Sequence, residues 1–558
     1  MQNRDVARLL RETARLLELR GENPFRVRAY EQAAAAIEQL EEPVVERIRQ
    51  GTLTELPGVG RGLAAQIQEL VEQGTSNVLE RLRQELPPGL LELLTLKGLG
   101  PQRVRQLWQE LNITSLDDLE AALQDGRLHR LKGFGPRLRE RLREELTRRR
   151  RYRTLRLLAQ ALPVAEALCE QIRQHPNVQR VALAGAVRRM LEVVDRIELV
   201  VVASQEALQQ LLSLTQQRSG PHGELLLEGT LPDGFPLRLI VTSPESFGTI
   251  LWWYTGSEAH CQAFLQAYGP PAPSPEEAVL YERVGLPLIP PELREGYGEL
   301  EAAAHHALPH LITQQDLRGI LHNHSTYSDG RHTLREMAEA ARSRGYRYFG
   351  IGDHSRSLTI AHGLSVAEVH RQQEEIRALN EKLALHNFRI LSGTECDILP
   401  DGSLDYPDDV LARFDYVVAS VHTQLEMDEK TATERILRAL RNPYVTILGH
   451  PTGRLLLRRE GYPLDWARII DACVTYRVAI ELNAHPQRLD IDWRRIRAAT
   501  TAGIPIVINP DAHAIDELDY VRWGVAVARK GWLSPDACLN ARELDDLEAW
   551  LQQRRTSG

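Results

Sequence analysis

Hydrophobic positions in the first part of the chain recur every three or four residues. ARLLRETARLLELR (7–20) shows that spacing and stops at Gly21, a natural helix C-cap. AYEQAAAAIEQL (29–40) is rich in strong helix formers. Residues 1–150 therefore read as almost entirely helical. The period changes near residue 178. VQRVALAGAV, RIELVVVAS, GELLLEGTL and FPLRLIVTS are short and apolar or β-branched, as sheet strands are. Proline-rich connections follow at 269–278 (GPPAPSPEEA) and within LIPPELREGYGELEAA at 288–303. From 316 to 558 strand patterns alternate with helical ones such as TLREMAEAARSRG. That alternation predicts an α/β barrel or a doubly wound sheet. Helical, then mixed, then α/β segments make a multidomain chain.

The length of 558 residues agrees, at about 100–200 residues per domain. Charged residues at 26% and hydrophobic ones at 43% are an ordinary globular balance. No run of about 18 apolar residues is present, so a membrane span is not expected. The opening MQNRDVARLL lacks a signal-peptide core, so the expected location is cytoplasmic. Five scattered cysteines form no C-x-x-C pair, which argues against a disulfide framework or a cysteine zinc knuckle. A net charge of −8 rules out a simple nucleic-acid sponge. The charge is uneven, however. RLHRLKGFGPRLRERLREELTRRRRYR (127–153) is strongly basic, and reads either as a solvated helix face or as a phosphate-binding one.

The strands of the last segment share one feature: each of six ends in a metal-ligand residue type. RGILHNHS supplies His322 and His324, with Asp329 following. His354, Glu395, His422 and His450 close the next four. Asp511 and His513 close IPIVINPDAH. H-x-H on a strand would place both imidazoles on one face. In a barrel of parallel strands all these ends meet at one rim. A lone histidine after a strand is usually structural, and the seven of 18 histidines before residue 316, and His485, are read so. Nine ligand types repeated at strand ends predict a multinuclear site. Imidazole with carboxylate suits zinc, manganese or iron.

These residues resemble the PHP (polymerase and histidinol phosphatase) family of metal-dependent phosphoesterases over 316–558. The resemblance implies a distorted (β/α)7 barrel with up to three ions, manganese or zinc. It implies that His322, His324, Glu395 and Asp511 hold one metal. Glu395 would bridge to a second held by His422 and His450. Asp329, His354 and His513 would hold the third. His322, His324, Glu395 and Asp511 are then the expected catalytic centre. Arg454, in GHPTGR, is a candidate contact to substrate phosphate.

A weak internal repeat lies in the helical part. Leu56-Pro57-Gly58-Val59-Gly60, Leu96-Lys97-Gly98-Leu99-Gly100 and Leu131-Lys132-Gly133-Phe134-Gly135 each open a helix. Glycines let backbone amides approach an anion closely, and a helix N-terminus points its amides at it. These turns resemble helix-hairpin-helix motifs, which grip DNA backbone without reading sequence. Gly58, Gly60, Gly98, Gly100, Gly133, Gly135, Lys97 and Lys132 are the expected contacts. With GENPFRVRAYEQAA, AGAVRR, SPESFGTILWWYTGS and GLPLIPPELREGYGELEAA, the chain resembles a bacterial family X DNA polymerase followed by a PHP exonuclease. The resemblance implies five segments. These are an eight-kilodalton-like domain (1–82), fingers-like (83–150), an α+β nucleotidyltransferase palm (151–250), a thumb and linker (251–315), and PHP (316–558). It also implies 3′→5′ exonuclease activity on gapped, nicked or 3′-end DNA in base excision repair. Abasic-site or 3′-phosphate cleavage would accompany it, in a nucleoid-associated monomer.

The palm departs from the family pattern. A nucleotidyltransferase holds two magnesium ions with three carboxylates. Aligned from Gly185 and Arg188-Arg189, two of these positions fall on Arg196 and Glu198, and the third, counted back from Glu245-Ser246-Phe247-Gly248, falls on Arg238. The serine expected at the triphosphate is Ala186. The expectation is that Arg196 and Arg238 pair with Glu198, that magnesium is not held there, and that polymerase activity is lost. Three alternatives are weighed against this. An active gap-filling polymerase is opposed by the missing acids, a non-enzymatic scaffold by the complete ligand set, and a small-molecule phosphatase by the hairpin turns. A lyase is not expected, since Lys97 and Lys132 both sit inside hairpin turns.

Overall fold

The first helix shows how the pattern becomes packing. Asn3–Arg20 buries Val6, Leu10, Ala14 and Leu17, one stripe at three- and four-residue spacing. Gly21 ends it at φ +86°, and Pro24–Glu38 returns along it. The computed structural model describes residues 1, 3–38, 40, 42–205, 208 and 214–556. It divides into two compact units, Met1–Arg153 and Thr154–Gly558.

The first unit is helical, and its three glycine turns share one geometry. Gly58, Gly98 and Gly133 take φ of +78°, +91° and +91°. Val59, Leu99 and Phe134 are buried and pin each turn to the core. The second glycine of each turn precedes the helices Arg61–Gln73, Pro101–Leu111 and Pro136–Arg153. The last of these carries most of the basic run. Arg143, Arg148 and Arg149 pair with Glu140 or Glu145 on its own surface, so part of that charge is internally neutralised.

The second unit opens on a five-stranded mixed sheet. Its strands are β1 (Val178–Leu183), β2 (Ile197–Ala203), β3 (Leu214–Ser219), β4 (Leu225–Thr230) and β5 (Pro236–Val241), in the order β1-β2-β5-β4-β3. The sequence pattern missed β3, LTQQRS. It is an edge strand whose Gln216, Gln217 and Arg218 face solvent, so it lacks apolar alternation. The helices Phe247–Thr255, Glu258–Tyr268 and Glu277–Glu282 pack Trp252, Phe264 and Tyr281 into their own cluster.

The remainder is a barrel of parallel strands. Strands β6 (Gly319–Ile320), β7 (Tyr348–Gly350) and β8 (Arg389–Leu391) form one ladder. A second ladder runs through β9 (Gly393–Asp397), β10 (Tyr416–Ser420), β11 (Ile447–Leu448), β12 (Ala479–Asn483) and β13 (Ile506–Asn509). A bridge from Asn323 to Ala512 joins the first strand's end to the last. A bridge from His354 to Glu395 joins the two ladders. Only Ser392 separates β8 from β9, so the ring is a distorted seven-stranded one. Sheet and barrel share a single buried core, running from Leu158 and Leu239 to Ile312, Val527 and Leu533.

Candidate metal centre

The strand ends converge as their pattern predicts, but not by regular strand geometry. Strand β6 stops at Ile320, and His322 takes φ +58°. The H-x-H pair therefore does not share a strand face. A left-handed turn swings the His322 ring toward His324, with ring centroids 5.3 Å apart. Asp511, at φ +53°, lies in the same sparsely populated region. Backbone of this kind in non-glycine residues is concentrated at functional sites.

All nine predicted residues meet at this rim. Glu395 lies at the centre. Its Oε2 is 3.2 Å from His322 Nε2 and 3.0 Å from His354 Nδ1. Its Oε1 is 3.2 Å from His422 Nε2 and 2.8 Å from His450 Nε2. His324 Nε2 lies 3.1 Å from Asp511 Oδ1. Asp329 Oδ1 lies 3.3 Å from His513 Nε2 and 3.6 Å from His354 Nε2. Donor atoms cluster as His322–His324–Asp511, His354–Glu395–His422 and His324–Asp329–His354–His513.

The residues behind the ligands were not read from sequence. His322 Nδ1 donates to Glu481 Oε1 at 2.6 Å, which leaves Nε2 facing the cluster. His422 Nδ1 donates to Asp397 in the same way. Fixing the outer ring nitrogen sets the tautomer of the inner one. Asp397 had a signal, since it stands two residues from Glu395 on one strand. Glu481 carried none beyond being a carboxylate inside an apolar run.

The electrostatics show how tightly the charges are coupled. Burial raises Glu395, yet His422, His322 and His354 hold it well below the usual carboxylate range. Burial pushes His324 down to about 3, aided by His513 and His354. Burial also lowers His422, but Glu395 and Asp397 outweigh it and lift the ring to about 10.

The donor chemistry fits divalent ions. Among the described residues, His322 Nε2, His324 Nδ1, His354 Nδ1, Glu395 Oε1 and both nitrogens of His450 are buried without a hydrogen-bond partner. The 2.8 Å approach of His450 to Glu395 is a close contact without hydrogen-bond alignment. Each unsatisfied buried polar group costs about 1–3 kcal/mol unless something fills it. Nitrogen and oxygen donors so gathered suit zinc, manganese or iron. Cys396 joins none of these donor groups; burial holds its thiol up at about 12 and its Sγ faces Asp397 O.

Arg454 is held in place by its neighbours. Its guanidinium donates to Arg488 O, Leu489 O and Asp492, so it braces the loop that carries them. Arg488, on that loop, is the arginine that reaches the cluster, with Nε 3.5 Å from Asp511 Oδ2.

The positions expected of a palm are equally specific. Strands β2 and β5 are parallel, with Glu198 opposite Arg238, and β4 brings Glu228 opposite Arg238 from the other side. Arg238 bonds Glu198 and Glu228, each at 2.9 Å. The expected second partner fails. Arg196 precedes the strand, is not held on the sheet face, and pairs with Asp195 at 3.2 Å. Glu198 folds onto Gly185, where an added Cβ would meet Oε2 at 2.1 Å. Ala186 packs half-buried on the core. Arg188 is engaged by Glu277 and Thr255.

Comparison with known proteins agrees with this architecture. The family described as helix-hairpin-helix domain matches residues 1–76, and the SAM-like helix-hairpin-helix tandem matches 90–148. The PHP domain family matches 321–485, which leaves Asp511 and His513 beyond the matched stretch. The chain is 37% identical to the Bacillus subtilis (strain 168) protein named DNA polymerase/3′-5′ exonuclease PolX, over 99% of this chain and 100% of that one. A "probable phosphatase" of Thermoanaerobacter sp. (strain X514) is 25% identical over 40% of this chain and 89% of its own. Another, of Acetivibrio thermocellus, is 33% identical over 27% of this chain and 59% of its own. With helix-hairpin-helix turns ahead of a mixed sheet and a PHP barrel, and this identity along its length, the chain belongs to the bacterial family X DNA polymerases that carry a C-terminal PHP domain.

Proposed function

We propose that this protein is a metal-dependent DNA phosphoesterase, a 3′→5′ exonuclease working through its PHP barrel in DNA repair, and that its palm no longer polymerises. The observation that carries the reading is a contrast. Nine donors converge at the barrel rim, whereas Arg238 stands where the family pattern would set a carboxylate beside Glu198.

His322, His324, Glu395 and Asp511 would hold one ion, His422 and His450 with Glu395 a second, and Asp329, His354 and His513 a third. Manganese or zinc held there would acidify a water and neutralise phosphate charge near neutral pH. Glu481 and Asp397 keep the His322 and His422 rings turned inward. In the palm, the Arg238 guanidinium repels any cation that Glu198 could attract. The hairpin turns, with exposed Lys97 and Lys132, grip the backbone of gapped, nicked or 3′-ended DNA. The five-segment division, monomeric state and cytoplasmic, nucleoid-associated location belong to this reading, with abasic-site and 3′-phosphate cleavage as side activities.

The name of the Bacillus subtilis relative favours a second reading, a gap-filling polymerase with an associated exonuclease. One experiment separates them. A labelled primer–template with a short gap is incubated with manganese, with and without all four deoxynucleotides, using wild type and His322→Ala. Primer shortening in wild type alone, indifferent to nucleotides, is the expected result. Extension that persists in His322→Ala would establish the polymerase instead.

A further inference from the structure

A cleft of about 520 Å³ is lined by Tyr297, Thr452, Arg454, Trp466, Asp492 and Arg495 among others. Thr452 stands two residues past His450, and its N–H and hydroxyl both bond Asp490. The segment from 485 to 492 reaches both sites. On one side Arg488 reaches Asp511 of the cluster. On the other Asp492 faces the cleft and binds Arg454 and Arg494.

The lining has one recognisable chemistry. Trp466 is half-buried, with the Arg495 guanidinium 5.7 Å from its ring centroid. Arg495 has no carboxylate partner among the described residues, whereas Asp492 is already engaged by two arginines. Tyr297 is 49% exposed, yet its ring is fixed edge-on against Trp493 at 5.2 Å. Arg497 holds its carbonyl at 2.6 Å. Two presented rings and an unpaired cation in one cleft match the needs of unpaired nucleotides. A base stacks on each ring, and a phosphate meets the guanidinium.

We infer that this cleft holds the single-stranded DNA segment adjoining the nucleotide being cut. The inference rests on the nuclease reading above and adds the residues that receive the strand. It predicts that losing one stacking ring harms a polynucleotide more than a substrate with no base. The test compares kcat/KM for a single-stranded oligothymidylate with kcat/KM for bis(p-nitrophenyl) phosphate, both in manganese. In Trp466→Ala and in Arg495→Ala the ratio should fall, by about tenfold for the lost stack. Trp466→Phe, which keeps a ring, should recover most of it. An unchanged ratio in both alanine variants overturns the cleft while leaving the nuclease intact. A wild type that hydrolyses the ester but spares the oligonucleotide overturns the nuclease reading, and the cleft with it.

Discussion

Glu481 touches no substrate in any of these readings, yet it sets the ring of His322. Replacing it with glutamine keeps the shape and weakens the hydrogen bond that fixes the tautomer. The expected result is a 10–100-fold loss of metal affinity, the usual effect of altering a group behind a ligand. Metal titration of the chelator-stripped protein reads it without reference to catalysis. An unchanged affinity would mean that His322 is oriented by packing alone. Arg238 invites the opposite experiment. Arg238→Ala leaves Glu198 buried, where burial already holds it above the usual carboxylate range. The expected cost is about 3 kcal/mol in urea unfolding, with Glu198→Leu in the same chain restoring most of it. Both residues show what a sequence can reveal. The nine donors were legible because imidazoles and carboxylates recurred at strand ends. Arg238 was legible because the neighbouring motifs fixed its register. Glu481 was not, because a carboxylate within AIELN gives no sign of whether it faces core, ligand or water. The left-handed turn at His322 was not either, since no glycine or asparagine marks it.

At the scale of elements, the glycine turns carry a distinction between two kinds of glycine. Gly98 and Gly133, at φ +91°, are required by the turn itself, and a side chain there is strained whatever the space around it. Gly60 and Gly100 are extended, at φ −84° and −80°. A Cβ at either, or at Gly135, would meet nothing within 4 Å. The fold places no steric demand on these three positions, which leaves them open for the backbone contact to DNA proposed above. Gly60→Ala, Gly100→Ala and Gly135→Ala together should leave the melting temperature nearly unchanged and weaken DNA binding several-fold. A lowered melting temperature with unaltered binding would assign these glycines to folding instead. The repeat was visible in the sequence, but which glycine serves the turn was not, because both are the same letter. Strand β3 escaped for another reason. An edge strand facing water has no apolar face to advertise.

At the scale of the molecule, sheet and barrel are not beads on a string. Lys530, fully buried, reaches from the barrel to Glu295 and to Arg189 O, and lies 4.6 Å from the Trp493 ring centroid. Leu533 O accepts the amide of Ile312, and Arg529 binds Glu292 at 2.7 Å. Burial lowers Lys530 to about 8, against the pull of Glu295. The unfolded chain holds that proton to about 10.5, so between the two values it binds more protons than the folded chain. Stability of the wild type should therefore rise from pH 8 to pH 10, by up to about 3 kcal/mol. Lys530→Met should lack that rise, and parallel melting profiles of the two across this range would refute it.

The shared core has a consequence for how such a chain can change over generations. A catalytic centre that has fallen silent ordinarily frees its surroundings to drift, and the whole segment can be deleted. Here Leu158, Leu239 and their neighbours are also the floor on which the barrel rests. Selection for the barrel's chemistry alone still sees every substitution that loosens the sheet. On the reading proposed above, the mixed sheet could lose its own reaction and still be indispensable to the barrel.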